Sequence, residues 1–138
     1  MKKFKLAEAY KVLNNSSTKV TKMEENDKFV VIDIIMELKP ISEEISEAID
    51  IAREKLKGEH HDEFMAKVPK WEELSDEEKI EINAYLFKYN KSIEDSIANL
   101  VQEEVELTKK LSKEAFKKFW ASNDFDVPTI VMLSEVLC

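Results

Sequence analysis

Between Asn26 and Lys57, apolar residues recur at steps of three and four: Val31, Ile34, Ile35, Leu38, Ile41, Ile45, Ala48, Ile49, Ala52 and Leu56. That period places them on one face of an α-helix. At about 1.5 Å per residue, a helix of some 30 residues is roughly 45 Å long. One short neighbour cannot cover a stripe of that length, so the chain must supply a second long element to lie against it.

The rest of the sequence supplies one. Ser75-Asp76-Glu77-Glu78 has the form of a capping box, a serine whose side chain can accept the free N–H three residues on. The helix it opens carries Ile82, Leu86, Tyr89, Ile93, Ile97 and Leu100 as a second stripe of helical period. Two long striped helices joined by a compact connection predict an antiparallel helical hairpin. Composition agrees. One glycine and three prolines in 138 residues are too few turn formers for a β-sandwich. A hydrophobic share of 43% supports a real core despite 36% charged residues. The expected fold is all-α, a single helical domain over residues 1–138.

Pro40 interrupts the long stripe, removing one helical hydrogen bond and crowding the preceding turn. It either kinks one helix at Lys39–Pro40 or opens a second one; the stripe passes through it in phase, which favours the kinked single helix. Asn26 or Asp27 is the expected N-cap. Gly58, the only glycine, follows Leu56 where a left-handed C-cap would sit. From Phe29 to Leu38 the helix is apolar on more than one side, with Val30, Ile32 and Met36 added to the stripe, so two covering layers are expected there.

Around the hairpin, Phe4–Leu13 reads as a short amphipathic helix closed by Asn14, Asn15, Ser16 and Ser17. Residues 59–74 read as a connection lying against the helices through Phe64, Met65, Val68, Trp71 and Leu74. Thr18–Met23 alternates β-branched residues with lysine, and Val105–Ser112 alternates apolar with polar. A minor two-stranded β-ribbon, pairing about 18–23 with 105–111, is expected from them. Ser112 caps a helix through Trp120, which Asn123 closes; Asp126 and Pro128 open a last helix to Leu137.

The net charge is −8, which disfavours approach to a phosphate backbone and argues against nucleic acid as a partner. The charge is uneven. Residues 40–107 carry 19 Asp/Glu against 8 Lys/Arg, whereas the remainder carries 10 against 13, giving an acidic body and a mildly basic end if the termini pack together. A lone cysteine, Cys138, cannot close an intramolecular disulfide and suits the cytoplasm. MKKFKLAEAY has no apolar run behind it and is not a signal peptide, and Phe29–Met36 is too short to span a bilayer, so no membrane association is expected.

Chemistry is sparse. Glu43, Glu44, Glu47 and Asp50 echo the carboxylate pairs with which all-α nucleotide pyrophosphohydrolases hold Mg²⁺, and Glu78 with Glu81 could complete such a set. At about 100° per residue, however, Glu43, Glu47, Asp50 and Glu54 fall opposite the stripe, and only Glu44 flanks it. A solvated acidic face is the simpler reading. His60 and His61, the only histidines, point apart in any regular element and read as a polar loop tip after Gly58. The lysines Lys109, Lys110, Lys113, Lys117 and Lys118 read as a solvated face, and Phe116, Phe119, Trp120 and Phe125 as core. The last two helices could imitate a helix-turn-helix, but VPTIVMLSEVL offers no Lys or Arg to meet phosphates or guanine. No catalytic, cofactor or metal site is expected.

KLAEAYKVL, the K-V-x-K-M stretch, DKFVVIDIIMELKPI, YNKSIEDSIANLVQEEVEL and the closing F-D-V-P-x-I-V-M-L-S-E-V-L occur in an order that resembles a family of small, uncharacterised phage and prophage proteins. The resemblance implies context: a phage gene product, of the structural or assembly region, working in the cytoplasm of a bacterial host or carried in the virion. The expected function is therefore non-enzymatic, by contact with a protein partner or by self-association. A Mg²⁺-dependent hydrolase using Glu44, Glu47, Glu78 and Glu81, or an acidic imitation of DNA, stand as the alternatives.

Overall fold

The structure, a computed structural model, describes residues Met1 to Cys138. Six α-helices follow one another: α1 (Lys3–Leu13), α2 (Glu25–Lys55), α3 (His61–Lys67), α4 (Asp76–Gln102), α5 (Lys113–Ala121) and α6 (Val127–Leu137), with a 3₁₀ stretch at Val68–Glu73. The fold is all-α. Two compact units are built from it, Met1–Ser46 with Leu100–Cys138, and Glu47–Asn99.

In the first unit, α1 packs on α6 and α6 on α5. The helical stripe of α2 does what its period demands: Val31, Ile34, Leu38, Ile41 and Ile45 are buried, as are Leu6, Ala9 and Leu13 of α1 and Phe116, Phe119, Leu133, Val136 and Leu137 of α5 and α6 in the same unit. No polar or charged residue is buried. The caps are local and sequence-encoded. The Ser112 hydroxyl accepts from the Ala115 N–H (3.1 Å), and the Asp126 carboxylate from the Thr129 N–H (2.9 Å). Asn123 closes α5 by donating its side-chain amide to the Phe119 carbonyl (2.9 Å).

Pro40 lies inside α2, which continues through it as one helix. The helix starts two or three residues earlier than those caps would set it, at Glu25, so Asn26 and Asp27 occupy its first turn and do not cap it; the Glu24 carbonyl accepts the Lys28 N–H (3.0 Å).

The β-ribbon does not form. Thr18–Met23 is a turn-rich segment whose backbone is held by side chains: Lys19 N–H donates to Asn123 Oδ1 (2.6 Å), Lys22 N–H to Ser122 Oγ (2.9 Å), and Asn123 Nδ2 returns a bond to the Lys19 carbonyl (2.7 Å). Residues 103–112 are extended, but their backbone meets the start of the chain. Lys3 N–H donates to the Glu103 carbonyl (2.9 Å) and Val105 N–H to the Met1 carbonyl (2.8 Å), around a single bridge between Lys2 and Glu104. The alternation in this segment instead turns Leu107 and Leu111 into the core.

In the second unit the last turns of α2 run antiparallel to α4: the Tyr89 hydroxyl donates to the Arg53 carbonyl (2.7 Å), and further along the Gly58 N–H donates to the Tyr85 hydroxyl (3.2 Å). Ala52, Phe64, Ile82 and Ile93 are its buried apolar residues. Ser75 caps α4 as its sequence predicts, accepting the Glu78 N–H (3.2 Å). Gly58 is not left-handed, since no residue of the chain has a positive φ. Its constraint is proximity: a Cβ there would stand 3.0 Å from Cε2 of Tyr85.

Candidate functional site

The acidic residues of α2 and α4 do not come together. Glu43, Glu47, Asp50 and Glu54 are exposed on the side of α2 away from its buried stripe. Glu44 is engaged by Lys3 Nζ at 3.1 Å, and the same ammonium also holds Glu103 at 2.6 Å; the two carboxylates raise the Lys3 pKa above its ordinary value. Glu78 is taken up by its own cap: the Ser75 hydroxyl, then Lys67 at 3.4 Å, hold its carboxyl below the ordinary carboxylate range. Glu81 is exposed. Within neither unit do three His, Cys, Asp or Glu side chains converge as a metal-holding group.

The histidines behave differently from a loop tip. His61 begins α3 and is half-buried; its Nδ1 lies 2.6 Å from the Tyr85 hydroxyl, which already accepts from the Gly58 N–H and so has its own proton to give. Tyr85 and Tyr89 stack at 5.7 Å between ring centroids, and Phe64 sits 5.3 Å from Tyr85. This is an aromatic lock on the connection after α2. Only His60 is exposed, 3.2 Å from Glu63. The signal for the lock was present in sequence as Tyr85 and Tyr89, four apart on one helix face, opposite the only glycine.

The lysines of residues 109–118 are partly committed within the first unit. Lys109 pairs with Asp33, and Lys118 with Glu24 at 2.9 Å. Lys110 and Lys113 face Cys138, whose surroundings nonetheless desolvate the thiol and push its pKa up, leaving little reactive thiolate. A hollow of about 360 Å³ beside the end of α1 and the start of α6 is lined by Lys11, Asn15, Thr18, Asp124, Asp126 and Thr129. Its polar groups serve local structure: Asp126 caps α6, Asn15 accepts from Ser17, and Thr18 donates to the Val12 carbonyl.

What the structure leaves uncovered is apolar. Sequence reasoning puts two layers over the first half of α2, but only one face is covered. Phe29, Ile32 and Met36 remain 58%, 48% and 68% exposed. At about 100° per residue they cluster opposite Ile34, Leu38 and Ile41, and so form a stripe aimed away from the core of the first unit. The covering elements, α1, α5, α6 and the extended segment, all serve the other side: Thr108 donates to Glu37, and Lys109 to Asp33, at the flank of the stripe. Val127 and Val131 of α6 are also exposed, as is Trp120, which departs from its expected place in the core. In the second unit Ile80 and Phe87 stand out, with the smaller Ala84 between them.

No protein-family model, no curated protein and no solved structure gives a significant match to this chain. No helix is long and apolar enough to cross a membrane.

Proposed function

We propose that this protein acts by protein–protein contact, without catalysis of its own, and that the outer face of α2 in the first unit is its contact surface. The observation that carries the reading is the run of Phe29, Ile32 and Met36, all open to solvent on a helix whose other side is fully occupied. Exposed apolar side chains scattered singly need no explanation; three in register on one helix face are the form in which a helix offers itself to a partner. The scattered carboxylates, each exposed or taken up by a cap or an ion pair, add support. The resemblance to small phage and prophage proteins supplies a setting, the bacterial cytoplasm and the assembly of a particle.

The test is a benzophenone amino acid in place of Phe29, expressed in a bacterial host and photo-activated in the cell. A discrete adduct is expected, and Ile32→Glu on the same chain should abolish it. Absence of any adduct, or one indifferent to Ile32→Glu, overturns the reading.

A further inference from the structure

The hollow beside the end of α1 and the start of α6 is lined by two charged groups that the fold does not use. We propose that it binds a small zwitterion, an α-amino acid with an apolar side chain: Lys11 takes the carboxylate, Asp124 with Asp126 the ammonium, and Phe125 with Val12 the side chain. The inference goes beyond the contact reading of α2 and does not depend on it.

At about 360 Å³ the hollow falls within the range of about 300–1,000 Å³ typical of small-molecule sites. Its walls are fixed before any ligand arrives. In the turn after α1, the Ser17 N–H and hydroxyl both donate to Asn15 Oδ1 (2.9 and 2.7 Å), and the Thr18 hydroxyl donates to the Val12 carbonyl (2.6 Å). The two bonds between Asn123 and the Lys19 backbone then tie the chain after that turn to the end of α5. Phe125 is half-buried, its ring 5.7 Å from that of the fully buried Phe119, so the apolar part of the lining is held in place. Asp126 is kept charged by its bonds to Thr129.

Lys11 and Asp124 come from different elements, are exposed, and join no ion pair with each other or with any third group. An ammonium and a carboxylate that hold nothing else, set around a preformed apolar surface, suit a ligand that carries both charges. A ligand of one sign meets repulsion: an anion from Asp124 and Asp126, a cation from Lys11. Because exposed charges contribute little, an amino acid of about a dozen non-hydrogen atoms should bind with a Kd of roughly 1 mM.

The test is a titration of the full, ¹⁵N-labelled chain, followed by amide shifts. The probes are L-leucine, L-phenylalanine, 2-phenylethylamine (phenylalanine without its carboxylate) and 3-phenylpropionate (phenylalanine without its amine). Both amino acids should move the amides of Asn15, Thr18, Phe125 and Thr129, and phenylalanine should bind about fivefold more tightly than either analogue. Lys11→Gln should erase its advantage over 2-phenylethylamine, and Asp124→Asn should cut its advantage over 3-phenylpropionate. Both substitutions alter exposed side chains, and unmoved core amides would show that the fold persists. No shift at those four amides with either amino acid at about 10 mM overturns the inference. So does phenylalanine binding no better than its analogues, or an advantage indifferent to both substitutions. Ile32→Glu, which tests the contact reading of α2, should leave the titration unchanged, so the two readings stand or fall separately.

Discussion

Gly58 shows how a single residue can be fixed by a neighbour and not by its own backbone angles. A methyl group there would press on the Tyr85 ring at 3.0 Å, and that ring is not free to yield: its hydroxyl is shared between the Gly58 N–H and His61, and its face is stacked on Tyr89. Gly58→Ala should therefore destabilise the protein by about 1 kcal/mol, the crowding outweighing the gain from a stiffer unfolded chain. In a Tyr85→Ala background the sign should reverse, and the same change should stabilise by about 0.5 kcal/mol. Urea unfolding of the four proteins measures both. Glu78 allows a second test at this scale. Ser75 and Lys67 hold its pKa below the ordinary 4.5. A carboxylate depressed in the folded state contributes stability that is fully present above its unfolded pKa and is lost as pH falls through the lower, folded one. The start of α4 should therefore hold at pH 5 and fray on acidification below about pH 4.5. Carboxyl carbon shifts followed by NMR should place the Glu78 midpoint under 4.5 in the native protein and nearer to it in Ser75→Ala.

Among the elements, α2 is the one whose sequence argues with itself. Its stripe continues through Pro40, yet Pro40 gives the Met36 carbonyl no N–H to accept in the helical ladder. Both residues are exposed, so water can take the carbonyl, and this is why the helix survives the interruption. Pro40→Ala should stabilise the chain by about 1–3 kcal/mol and slow amide exchange through residues 37–44; unchanged exchange there would mean the proline costs nothing in this setting. Elements of this kind were legible because their determinants are local. The period of the stripe, Ser75, Ser112 and Asp126 as caps, and Asn123 as a stop all act within one or two turns of the residue that encodes them. The ribbon was not legible, because alternation shows only that a segment is extended with one side inward; its backbone partner is chosen elsewhere. Residues 103–112 found Met1 and Lys3, and Thr18–Met23 found the Ser122 and Asn123 side chains. The exposed stripe was misread for the same reason. The sequence from Phe29 to Leu38 shows two apolar sides, and nothing within it says that the chain has elements enough for only one.

At the scale of the whole molecule, the two units differ in how much apolar matter they enclose. The first draws on α1, α5, α6, the extended segment and the stripe of α2 as far as Ile45, and fully buries Leu6, Ile34, Leu38, Phe119, Leu133, Val136 and Leu137. The second encloses Ala52, Phe64, Ile82 and Ile93 and otherwise relies on half-buried tyrosines, with Phe64 as its one buried aromatic ring. Sequence reasoning treats residues 1–138 as a single domain because a chain of that length has room for one ordinary domain. Local stability follows the buried apolar matter, so opening free energies should differ between the units. Phe64→Ala removes the largest side chain from the thinner core, at a cost of about 3–4 kcal/mol. Hydrogen exchange of that variant should show protection lost across α3 and residues 76–99 while α1, α5 and α6 keep theirs. Phe119→Ala should produce the converse, with protection lost from α1, α5 and α6 first. Uniform loss of protection through all 138 residues in either variant would instead make the chain one cooperative body.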